Sequence, residues 1–148
     1  MRSPLAENIF RQLAEQAEQG SRFRVDSAGT SSWHIGEPPD SRMRRVAAQH
    51  GLHYQGSARQ VTRQDLANFD VIIAMDRDNR AVLFSLANGA SQQEKIHLLR
   101  EFDPHGQLNS EVPDPYYGGV DGFEETYRIV ERSCQGLLEA LQDGKLGR

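Results

Sequence analysis

Leu5, Ile9, Leu13 and Ala17 recur at every fourth position near the start of the chain, so one helical stripe faces a core. Ser3 suits an N-cap, Pro4 the first helical position, and Gly20 the end of that helix. The period then changes. Phe23-Arg24-Val25-Asp26-Ser27 alternates as a short strand does, and Ala28-Gly29-Thr30 turns away from it. Breakers crowd the stretch from Ser31 to Pro39 into a loop. Asp40 is placed to cap a second helix through about His50, with Gly51 to stop it, and a short third helix fits Thr62 to about Asn68. Val71-Ile72-Ile73-Ala74-Met75 is a continuous apolar run, the pattern of a parallel strand covered on both faces. A helix from Asp78 to Ala87, a strand from Lys95 to Leu99 and a long loop from about Arg100 to Gly119 come next. Phe123, Tyr127, Val130, Cys134, Leu137 and Leu141 give the last helix, Asp121 to Leu141, a long apolar face.

Strands alternating with helices predict an α/β fold in three layers, a parallel sheet of about three strands with helices on both faces. The 148 residues carry no repeat or linker and read as one domain, 1–148. A hydrophobic fraction of 37% suits a globular core, and a net charge of −4 argues against nucleic acid and anionic membrane as partners. No apolar run approaches the ~20 residues that span a bilayer, and the chain opens on a helix start, so no signal peptide is expected. The single cysteine, Cys134, excludes an internal disulfide and suggests a reducing cytoplasm. His34, His50, His53, His97 and His105 are scattered. Zinc needs three or four convergent ligands, so no metal is expected.

Six segments, in order, carry a resemblance: Arg2-Ser3-Pro4-Leu5-Ala6-Glu7; Val25-Asp26-Ser27-Ala28-Gly29-Thr30; Pro38-Pro39-Asp40-Ser41-Arg42; Ala58-Arg59-Gln60; Phe69-Asp70-Val71-Ile72 with Met75-Asp76 and Asn79; and Pro113-Asp114-Pro115-Tyr116-Tyr117-Gly118-Gly119. Together they resemble the low-molecular-weight protein-tyrosine phosphatases along nearly the whole chain. That resemblance implies a four-stranded parallel sheet and a phosphate loop of the form Cys, five residues, Arg, Ser, set between the first strand and the first helix. Arg2 is then similar to the loop arginine, which clamps two phosphate oxygens in a bidentate fork, and Ser3 to the serine beside it. Asp114 is similar to the acid that protonates the leaving phenolate, whose pKa of about 10 makes it a poor leaving group unaided. Tyr116 and Tyr117 on one side and Trp33 on the other would wall an aromatic substrate. Asp76 and Asn79 would orient the loop from below or cap a helix. Where the family often places a loop-supporting histidine, this chain has Gly56-Ser57, so that support would be weaker here or supplied by Ser57.

The family's cysteine nucleophile has no match in the chain, since Cys134 sits on the apolar stripe of the last helix and reads as a small buried hydrophobe. Met1 falls inside the phosphate-loop motif, and the biological start is expected upstream of it. On that expectation the first, central strand is absent, leaving a gap of about 9–10 Å in the sheet and open edges through which two chains could pair. Arg2 is expected to be a mobile terminal residue. The function expected is phosphotyrosine hydrolysis through a phosphocysteine, on a phosphotyrosine-containing protein and without a cofactor, with the chain as it stands inactive. A non-catalytic binding module or pseudo-phosphatase is the alternative. Arsenate reduction, which passes electrons through further cysteines, and phosphoarginine hydrolysis are further readings.

Overall fold

Successive side chains of a strand point to opposite faces of its sheet, and Ile72-Ile73-Ala74-Met75 uses both. The computed structural model of the chain describes residues 2–30, 41–52, 59–115 and 119–144. Its elements in order are α1 (Arg2–Gln16), α2 (Ser41–Gln49), α3 (Arg63–Asn68), β1 (Ile72–Ala74), α4 (Arg77–Leu86), α5 (Ala90–Gln93), β2 (Ile96–Leu98) and α6 (Gly119–Gln142), with 3-10 turns at Gly20–Arg22 and Leu99–Phe102. β1 and β2 pair in parallel, with Ile72, Ile73 and Ala74 opposite Ile96, His97 and Leu98. Ile72 and Ala74 pack with Leu66 of α3 and Leu83 of α4. Ile73 and Met75 pack on the other face, in the larger core built by α1, α2 and α6. Helices therefore cover both faces of a parallel sheet, and the α/β class expected from the hydrophobic pattern holds.

The sheet is smaller than expected. Among the described residues it has two strands, and Phe23–Ser27 is not one of them. The alternation there is real: Phe23 and Val25 are half-buried, Arg24 and Asp26 exposed. Alternation specifies an extended chain, but a strand also needs a neighbour to bond. The Val25 carbonyl instead accepts Arg11 Nη2 at 3.1 Å. Sheet-like pairing begins only afterwards, at a single parallel bridge between Gly29 and Gln60. Arg59 fastens that region to α3 by a two-pronged contact with Asp65, at 3.0 and 3.1 Å.

Helix ends differ as well. α1 begins at Arg2, so Ser3 and Pro4 lie inside its first turn rather than before it. Proline is tolerated there, because first-turn N–H groups have no partner within the helix. The helix stops before Gly20. Glu18 takes the left-handed conformation (φ 60°), and its N–H and that of Gln19 turn back to the carbonyls of Glu15 and Ala14 at 3.0 and 2.7 Å. This satisfies two carbonyls at the helix end. α4 starts at Arg77, one residue before the expected Asp78, with Asp76 as its cap.

α1 and α6 form the main helix contact. Leu5, Ile9 and Ala14 are buried against a stripe that includes Tyr127, Val130, Cys134 and Leu138, and each fully buried leucine contributes about 1.5–3 kcal/mol. Cys134 Sγ lies 3.7 Å from the Ala6 carbonyl. Burial, with Glu131 nearby, pushes its thiol pKa well above the usual range, so it is the inert hydrophobe expected. His50 stacks on Tyr127 at 4.1 Å while its Nε2 lies 2.7 Å from Glu124 Oε1. Burial pushes the Tyr127 hydroxyl up to about 12.

Two close contacts join α6 to the turn after β2. A Cβ on Gly136 would stand 1.9 Å from the Phe102 carbonyl oxygen. One turn away, the buried carboxylate of Asp103 accepts Arg132 Nε and Nη2 at 2.6 and 3.0 Å, Arg100 Nε at 3.2 Å and the His105 N–H at 2.9 Å. Burial opposes the charge, but these donors outweigh it and hold the carboxyl down to about 2.

Gly136→Ala is expected to lower stability by roughly 1–3 kcal/mol, because backbone must move to admit the methyl. Thermal unfolding checks this, and an unchanged Tm contradicts it. Asp103 has its pKa depressed in the folded state, so its stabilisation is present above the unfolded carboxyl value near ~4 and fades as pH falls toward ~2. Urea unfolding should show Asp103→Asn less stable by about 2–3 kcal/mol at neutral pH, with the gap narrowing as pH falls. A gap independent of pH contradicts this.

Candidate active site

In open α/β sheets the carboxyl ends of the strands gather the functional groups. β1 ends at Ala74, and the next two residues organise three segments. The Met75 carbonyl accepts the Val112 N–H at 2.8 Å. Asp76 divides its carboxylate between two donors. Oδ1 accepts the Asn79 N–H at 2.7 Å and caps α4. Oδ2 accepts Arg2 Nη2 at 2.6 Å. Arg2 Nη1 then donates to the Val112 carbonyl at 2.7 Å. The first turn of α1, the N-terminus of α4 and the root of the Asp114 segment thus meet on one guanidinium.

This overturns the expectation of a mobile Arg2, whose side chain is only 19% exposed. Each guanidinium Nη carries two N–H groups, so one donor on each remains after these bonds. A guanidinium held in this way can still offer N–H donors to the oxygens of a tetrahedral anion. It stands at the N-terminal end of α1, where the helix dipole also favours negative charge. Ser3, half-buried, shares that turn. Asn8 is buried and turns its Nδ2 back to the Pro4 carbonyl at 2.8 Å. Glu7 accepts Ser27 Oγ at 2.6 Å and pairs with Arg11, which ties α1 to the extended segment beside it.

Asp114 lies two residues beyond Val112 and is exposed. Its segment is fastened from several directions. Glu111 Oε2 accepts the Arg77 N–H and Nε at 2.8 and 3.2 Å, which draws the Glu111 carboxyl below its usual range. The Glu111 carbonyl accepts Arg100 Nη1 at 3.2 Å. Asp76 is thus both the cap of α4 and the partner of Arg2, and Asn79 Nδ2 reaches Thr30 Oγ1 at 3.3 Å.

Arg2, Ser3, Asp76 and the Asp114 segment therefore come together. Trp33, Tyr116, Tyr117 and Ser57 lie outside the described residues. Cys134 is not part of this site but buried between α1 and α6. Arg77, Arg100 and Glu111 belong to the site's frame but carry no signal in the sequence, because each acts across the fold rather than along a period. Among the described residues no group of three or more His, Cys, Asp or Glu could hold a metal ion, and no helix is long and apolar enough to cross a membrane.

Residues 1–146 match the family model described as low molecular weight phosphotyrosine protein phosphatase. The chain is 42% identical to a low molecular weight protein-tyrosine-phosphatase of Streptomyces coelicolor, over 99% of this chain and 90% of that protein. It is also 42% identical to the low molecular weight phosphotyrosine protein phosphatase of Rattus norvegicus, over 93% and 87%. The crystal structure of a protein tyrosine phosphatase from Entamoeba histolytica with Hepes in the active site superimposes with a TM-score of 0.92 at 38% identity, covering 98% of this chain and 92% of that one. With Arg2 and the Asp114 segment joined at the end of β1, the chain belongs to the low molecular weight phosphotyrosine protein phosphatase family.

Proposed function

We propose that this site serves hydrolysis of phosphotyrosine in proteins, with Arg2 as phosphate clamp and Asp114 as acid and then base, in a reducing cytoplasm. One observation carries the reading: the Arg2 guanidinium is fixed between Asp76 and the Val112 carbonyl, at the root of the segment that bears Asp114. A phosphoryl group bound there would lie beside its acid.

The chemistry also needs a thiolate. Its sulfur attacks phosphorus, forming a sulfur–phosphorus bond as the bond to the tyrosyl oxygen breaks, and the Asp114 carboxyl gives that oxygen a proton. Water then attacks phosphorus, the Asp114 carboxylate takes its proton, and phosphate leaves with the thiolate restored. The only thiol in the chain is Cys134, which is buried with its pKa raised, so it is neither ionised nor reachable by an aryl phosphate. We infer that the 148-residue polypeptide alone does not turn over, because the reaction requires an accessible thiolate that Cys134 does not supply. The same shortage of thiols disfavours arsenate reduction. A non-catalytic role for the chain by itself is the second reading, favoured by that buried cysteine.

Assay of the 148-residue chain, and of the chain preceded by a strand and a Cys-bearing loop, on a phosphotyrosine peptide tests this. Turnover is expected only from the extended form, and Asp114→Asn in that form should lower kcat/KM by about 10²–10⁴. Turnover by the 148-residue chain that survives Cys134→Ala would overturn the thiol requirement. An extended chain that folds but has no activity would overturn the phosphatase reading.

A further inference from the structure

A chain of charged side chains runs from the middle of α6 to the Asp114 segment. Arg132 grips both oxygens of Asp103, at 2.6 and 3.0 Å. Asp103 holds Arg100 by Nε at 3.2 Å. Arg100 in turn donates Nη1 to the Glu111 carbonyl, also at 3.2 Å. The Asp103 side chain has no exposed surface and that of Arg100 is 18% exposed, so water competes little for these bonds.

We propose that Arg100 is a positioning residue for the acid step: braced by Asp103, it fixes the peptide plane between Glu111 and Val112 and so sets where Asp114 stands. The proposal rests on the phosphatase reading above. The Glu111 carbonyl and the Val112 N–H belong to one planar peptide unit. Arg100 holds its oxygen, and the Met75 carbonyl holds its N–H at 2.8 Å. Gripped at both ends, the plane cannot rotate without losing both bonds. The next carbonyl, of Val112, is the one that receives Arg2 Nη1, so a tilt of that plane would also disturb the phosphate clamp.

The backbone from Val112 to Pro115 is stiff. Pro113 and Pro115 flank Asp114. Proline fixes its own φ and restricts the residue before it, so Val112 and Asp114 are both confined. An orientation set at Val112 is therefore passed to Asp114 rather than absorbed between them. A rigid planar guanidinium suits the task, because its Nε and Nη1 meet two partners in a fixed relation that a lysine ammonium cannot reproduce.

The test has two arms, both using Arg100→Leu. In the 148-residue chain, amide hydrogen exchange of the peptide containing Val112 should quicken by about tenfold while β2 exchanges as before. Unchanged exchange at Val112 overturns the proposal. In the extended, cysteine-bearing chain, kcat/KM is compared for phenyl phosphate, whose leaving group needs an acid, and 2,4-dinitrophenyl phosphate, whose leaving group does not. The ratio should fall by about tenfold in Arg100→Leu and stay at the parental value in Ile9→Val, a core variant that lowers stability away from the loop. An unchanged ratio in Arg100→Leu overturns the acid-positioning role whatever happens to stability. If the parental extended chain is inactive, the phosphatase reading has failed, and the exchange arm alone decides whether Arg100 holds the loop.

Discussion

The guanidinium of Arg2 is the point on which the site depends. It joins three segments far apart in sequence: the first turn of α1, the cap of α4 at Asp76 and the Val112 carbonyl before Asp114. Charge-assisted bonds of this kind are about twice as strong as neutral ones, and Arg2 and Asp76 are mostly shielded from solvent. Asp76 can serve both helix and arginine because a carboxylate has two oxygens and each takes one task.

A second frame supports the other side. Glu111 is held through its carboxylate by Arg77 and through its carbonyl by Arg100, and Arg100 leans on Asp103 and hence on α6. α6 can approach the turn after β2 this closely because Gly136 presents no Cβ to the Phe102 carbonyl. Packing of α6 thus reaches the Asp114 segment through polar bonds rather than through apolar contact. Loops that carry function are positioned by a rigid scaffold, and here the scaffold's reach can be traced bond by bond.

The sequence conveyed the layering well, because periodicity reports which face of an element is apolar. Ile72 to Met75 gave a strand buried on both faces, and the stripe through Tyr127 and Cys134 gave α6. It misjudged Phe23–Ser27, since alternation describes one chain's shape and says nothing of a partner. It placed the end of α1 at Gly20, because nothing in the composition marks Glu18 for a left-handed turn. At the site, Arg2, Asp76, Asn79 and Asp114 were legible from motifs. Arg77, Arg100 and Glu111 were not, because bonds spanning 34 and 11 residues leave no local pattern. The fixed state of Arg2 was equally hidden, since a residue near a terminus gives no sign of acceptors waiting at positions 76 and 112.

The central claim is that Arg2 and Asp76 are coupled and not merely adjacent. A double-mutant cycle of Arg2→Met and Asp76→Asn, read by urea unfolding, measures that coupling directly. Asparagine keeps the oxygen that caps α4 and puts an NH2 donor where Oδ2 accepted Arg2, so both the charge and that bond are lost. The account predicts a coupling energy of about 1 kcal/mol or more. Additive single-variant effects, with coupling below about 0.3 kcal/mol, would contradict it.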